Sequence, residues 1–157
     1  MQLTSAMFQQ EGRIPAPFTC DGQNVSPELS WRDAPAETKF FALILHDPDA
    51  PKDDGFTHWV LYNIPSDVAA LEVNVPHNGL LQGVGVQGMN DSGKIGYTGP
   101  CPPSGTHRYF FRLYALDAEL KLQPGASRDE VEAAMSGHIL DQAELMGTYS
   151  KSSQKAA

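Results

Sequence analysis

The chain of 157 residues is short of everything that would prop up a small fold or hold it in a membrane. It has two cysteines, 11 basic residues against 19 acidic ones, and no apolar run longer than FFALIL at 40–45. A bilayer span needs roughly 20 apolar residues, so this run excludes a spanning helix. The net charge of −8 disfavours nucleic acid and anionic membrane as partners, because such binding rests on clustered Lys and Arg, and only Arg108 and Arg112 lie close together. Cys20 and Cys101 are too few for a disulfide scaffold and lack CxxC spacing. The N-terminus MQLTSAMFQQEGR has no charged segment leading into an apolar one, so the expectation is a cytoplasmic protein with two free thiols. There is no GxSxG elbow, no P-loop and no HExxH.

What is present reads as one mainly β domain over 1–157, with about 1–4 and 150–157 frayed. Eleven of the 14 glycines and 11 of the 12 prolines punctuate residues 12–105, and between them lie short runs rich in aromatic and β-branched residues, the pattern of a β-sandwich. Strong strands are expected at about 39–46, 58–64 and 107–116, with weaker ones near 2–8, 28–31 and 80–87. Ser127 and Glu130 form a capping box that opens a helix carrying Val131, Ala134, Met135 and His138 at helical spacing, which Gly137 ends or weakens. The following ILDQAELMGTY is read as helix, then extended edge. The packed turn after Asp47 suggests a cis Ala50–Pro51 bond.

Side chains alternate along a strand, so parity selects the polar groups that converge. Asp47 goes with Phe41, Leu43 and Leu45; His58 with Val60 and Tyr62; His107 and Tyr109 with Phe111 and Leu113. Each strand carries an apolar face that turns polar at one end, the make-up of a small-ligand pocket. The stiff loop GYTGPCPPSG delivers His107 and Tyr109, and its N–H groups at Gly99, Cys101, Ser104 and Gly105 are candidate anion donors. Asp49 belongs to the turn behind Asp47. His46, His77 and His138 are read as structural or surface groups, Asp53 and Asp54 as a solvated loop tip, Trp31 and Trp59 as core.

Two other uses of these residues compete. Asp47, His58 and His107 are ordinary zinc ligands but lack HxH or HxxxH spacing, so no metal and no cofactor is expected. A small hydrolase of phosphate esters or acyl compounds would use His58 and His107, or Cys101 as nucleophile.

DPDAP at 47–51, HWVLYNIP at 58–65 and GPCPPSGTHRYFFRLYALD at 99–117 resemble the signature regions of the phosphatidylethanolamine-binding protein family, which includes the Raf kinase inhibitor proteins. FTCDGQNVSPELSW at 18–31 and the late stretch ASRDEVEAAMSGHILDQAELMGTYS are similar to its small bacterial branch. The resemblance implies a sandwich of antiparallel sheets with a pocket for phosphate or a phosphorylated head group such as phosphoethanolamine. It puts the pocket lining on Asp47, His58, Pro102, His107 and Tyr109, with Asp49, Cys101 and Gly99 behind. A role as regulator or inhibitor of a protein partner, a kinase or a protease, is open, but the chain lacks the long C-terminal helix that eukaryotic members have beside the pocket, so kinase regulation does not carry over with the resemblance; monomer and homodimer are both open. Anion affinity is expected to be strongest when His58 or His107 is protonated.

Overall fold

The computed structural model describes residues 1–151, and the end of the expected C-terminal fray lies outside them. Among the described residues, nine strands form two sheets. The smaller has the order β1-β2-β5, with β1 Gln2–Thr4, β2 Leu29–Arg32 and β5 Ala70–Leu71. The larger has the order β6-β7-β4-β3-β8-β9, with β3 Phe40–Asp47, β4 Phe56–Pro65, β6 Leu80–Leu81, β7 Gly85–Gln87, β8 His107–Leu116 and β9 Ile139–Tyr149. All strand pairings are antiparallel. Among the described residues no helix is long and apolar enough to cross a membrane.

The unbroken apolar run of β3 follows from its place in the middle of the large sheet, where both faces are covered. Phe41, Leu43 and Leu45 face the sandwich core with Trp31, Trp59, Phe111 and Leu113. Ala42 and Ile44 face the other way, packing with Val60, Tyr62 and the helix α1, Arg128–Met135. That helix begins as its capping box dictates: Ser127 Oγ accepts from the Glu130 N–H at 3.2 Å, and Glu130 Oε1 accepts from the Ser127 N–H at 3.0 Å. It buries Val131 and Met135. Gly137, at φ 84, takes the left-handed turn beyond its end, so His138 lies outside the helix and bonds Asp117 instead.

Four expectations are corrected. Residues 139–149 form one edge strand with no helical part, because β8 offers a pairing partner along its whole length. Residues 2–4 are a strand, held by buried Leu3 and by an ion pair between the terminal ammonium and Asp141. Ala50–Pro51 is trans: the reversal is closed instead by the Asp49 N–H donating to Asp47 Oδ1 at 2.7 Å and by Gly55 at φ 73. Finally, Cys20 and Cys101 are joined in a disulfide, not free.

Candidate functional site

The ends of β3, β4 and β8 meet at one edge of the sandwich. They enclose a cavity of about 270 Å³ that is lined by Asp47, His58, His107 and Tyr109 and roofed by residues 50–52 and 98–103. All four side chains singled out by parity therefore face one concavity, together with Pro102, Cys101 and Gly99.

For His58 the parity reasoning fails although its result stands. Leu45 pairs with Trp59 and His46 with Thr57, so His58 is an extra residue, a β-bulge in β4. His58 and Trp59 consequently lie on the same face, the pocket and core side, while Val60 and Tyr62 pack against the helix. His58 never shares their face.

Each ring has a defined hydrogen. Nδ1 of His58 lies 2.8 Å from the Thr98 carbonyl, which can only accept, so Nδ1 carries the hydrogen and a neutral ring leaves Nε2 as an acceptor. Burial pushes the His58 pKa down from 6.5 to about 4, against the smaller opposing pull of the Thr98 carbonyl and of Asp47. Nδ1 of His107 donates to Asp47 Oδ2 at 2.6 Å. The other Asp47 oxygen is taken by the Asp49 N–H.

Tyr109 is fully buried; its hydroxyl interacts with the nearby Asp47 carboxylate but completes no well-formed hydrogen bond with it or with any other described residue. Burial, reinforced by the nearby Asp47 charge, raises its pKa, so it remains an O–H donor. An incompletely bonded donor in a cavity wall is costly unless something else fills that role.

The surrounding residues hold this geometry. Asp49 does not line the cavity: its carboxylate takes two hydrogen bonds from the Arg108 guanidinium, each 2.9 Å, and that pairing lowers its pKa. The Gly99 N–H, expected as an anion donor, is occupied by Asn24 Oδ1 at 2.7 Å. A Cβ at Gly99 would lie 2.4 Å from the Phe18 carbonyl, so only glycine allows the roof to sit this close to residues 18–24. Phe56, Lys52 and Thr98 also line the cavity and were not anticipated. Phe56 shares His58's parity and was open to the same reasoning; Thr98 fixes the His58 tautomer through its backbone, which leaves no side-chain signal. Among the described residues, no three His, Cys, Asp or Glu side chains are arranged to hold a metal ion.

The neutral state of His58 makes stability depend on pH. Its folded pKa is depressed, so the stabilisation is complete above 6.5 and is lost as pH falls towards 4, by about 3 kcal/mol in all. Urea unfolding at stepped pH is the measurement. The loss should shrink in His58→Gln by His58's share, leaving that of His46, whose pKa burial also lowers.

The sequence model described as phosphatidylethanolamine-binding protein matches residues 4–150. A UPF0098 protein of Methanothermobacter thermautotrophicus is 58% identical over 149 residues, covering 95% of this chain and 98% of that protein. One of Chlamydia trachomatis is 44% identical, covering 96% and 99%. Among solved structures, the phosphatidylethanolamine-binding protein homologue CT736 of Chlamydia trachomatis superposes with a TM-score of 0.88 at 42% identity, covering 96% and 97% of the two chains. YbcL of E. coli, described as a new member of the mammalian PEBP family, superposes with a TM-score of 0.86 at 32% identity, covering 96% and 98%. The similarity reaches archaeal as well as bacterial proteins, so it is broader than the bacterial branch named from the motifs.

Proposed function

Because the chain belongs to the phosphatidylethanolamine-binding protein family, we propose that it is a binding module for a small anion, phosphate or a phosphorylated head group, held by Asp47, His58, Pro102, His107 and Tyr109. The observation that carries this reading is the buried Tyr109 hydroxyl with no well-formed hydrogen bond, on a residue that lines a cavity edged by two histidines whose Nδ1 hydrogens are already committed. A phosphoryl oxygen would supply the missing acceptor. Since His58 stays neutral down to about pH 4, it offers no cationic imidazole donor above that, which narrows the expectation drawn from the sequence. The regulatory part of the proposal, a role as regulator or inhibitor of a kinase or protease partner, draws its support from the family alone.

The hydrolase alternative loses its cysteine form, because Cys101 is bonded to Cys20 and offers no thiolate. Its histidine form retains the Asp47–His107 pair, an oriented base, and a turnover screen with phosphate esters separates it from the binder.

Tyr109→Phe tests the binding reading. It deletes one oxygen that completes no well-formed hydrogen bond in the protein and has only a looser interaction with Asp47, so stability should change by less than about 1 kcal/mol. Phosphate affinity, followed by titration calorimetry, should drop about tenfold, the worth of one hydrogen bond to a charged group. A variant that loses stability while binding phosphate normally would remove Tyr109 from the site.

A further inference from the structure

We propose that the cavity takes its oxyanion with a hydrogen attached, as a singly charged phosphate or phosphate monoester, and that His58 Nε2 is the atom that selects for that hydrogen. The proposal rests on the reading of the cavity as an anion site and narrows it to one ionisation state. It favours a free monoester over sulfate and over the diester of an intact phospholipid head group.

The argument is an inventory of donors and acceptors. The Thr98 carbonyl fixes the hydrogen of His58 on Nδ1, and among the described residues no protein group bonds its Nε2. A bound oxyanion without a hydrogen would set an oxygen lone pair against that nitrogen lone pair. One bearing P–OH donates into it and still offers oxygens to the Tyr109 hydroxyl.

Charge points the same way. The groups around His58 are Asp47 from β3, His107 and Tyr109 from β8, and Lys52 from the roof, with His46 and Asp91 behind the sheet. Asp47 is 2% exposed and brings a negative charge to the wall. The nearby cations are already paired, Lys52 with Asp91 at 3.8 Å and Arg108 with Asp49 at 2.9 Å. A dianion would enter with little to neutralise it; a hydrogen-bearing monoanion meets a donor, an acceptor and one less charge.

Methyl phosphate and methyl sulfate isolate the feature. At about pH 5.5 both are monoanions of the same shape, and they differ by one hydrogen. Calorimetric titration of the full chain should give at least about tenfold tighter binding of methyl phosphate. Its affinity should then fall about tenfold per pH unit above about 6, as the monoester gives up that hydrogen. Glycerophosphoethanolamine, the diester head group, should bind more weakly than methyl phosphate at about pH 5.5. Equal binding of methyl phosphate and methyl sulfate overturns the inference and leaves the anion site standing. Equal binding of the diester overturns it in favour of a lipid source. No binding of any of the three overturns the inference and the anion reading together.

Discussion

Reduction of the Cys20–Cys101 bond should cost about 4.5 kcal/mol of stability, a loop-entropy figure for a bridge closing a sequence separation of 81. For a chain of 157 residues this is a fall in melting temperature of about 9 to 18 °C. The comparison is between the oxidised protein and the Cys20→Ser/Cys101→Ser variant, by thermal and urea unfolding. The urea slope should rise in the variant, since an unlinked denatured chain exposes more surface. Both cysteines are exposed, so the substitution removes little packing and the difference reports the covalent constraint. The native contacts between the two loops persist without it: the Cys20 N–H donates to the Pro100 carbonyl at 3.1 Å and the Tyr97 hydroxyl to the Phe18 carbonyl at 2.6 Å. A fall of less than about 3 °C would mean that the denatured chain already keeps these segments together.

Asp47→Ala should be the most damaging single change in the cavity wall, at about 3 kcal/mol, because it strands a buried donor, the His107 imidazole, and a partly buried one, the Asp49 N–H. His107→Ala removes the other side of the same bond and leaves a carboxylate that is 2% exposed with one donor fewer. It should cost about 1 to 3 kcal/mol, not the negligible amount that the residue's place at a strand mouth suggests. The double variant should cost less than the sum of the two, since neither partner is then left alone. Additive costs in urea unfolding would show that the pair is not a coupled unit. Phosphate binding should be lost in all three.

The sequence revealed those parts of the fold whose signal is local. FFALIL reads as a strand because both its faces are buried, and Ser127 with Glu130 reads as a helix start because the cap is a property of four consecutive residues. β9 was harder. It is an edge strand whose first residues, Ile139 and Leu140, are exposed while Gln142 and Glu144 alternate with small or apolar neighbours, so no period stands out until β8 supplies the pairing. Asp47, His107 and Tyr109 obeyed simple alternation; His58 reached the same cavity through a bulge that only the cross-strand register reveals. The disulfide joins residues far apart in the chain, and cysteine counting alone pointed to free thiols.

The bulge also sets a rule of length. Between Phe56 and Trp59 β4 takes three steps while β3 takes two between Asp47 and Leu45, so β4 carries one surplus residue, about 3.3 Å of extra chain, at the mouth of the cavity. Removing His58 would draw the two strands level and restore simple alternation, leaving Thr57 opposite His46 and Phe56 opposite Asp47 on the faces they already occupy. The cavity would lose the His58 imidazole, while Phe56 would stay in its wall and Trp59 in the core. What the surplus residue adds is a second side chain on the cavity and core face, His58 beside Trp59, and a loss of length here forfeits it. In diverging copies of this chain, insertions and deletions should therefore fall in the exposed turn at 52–54 and spare the segment from 56 to 59.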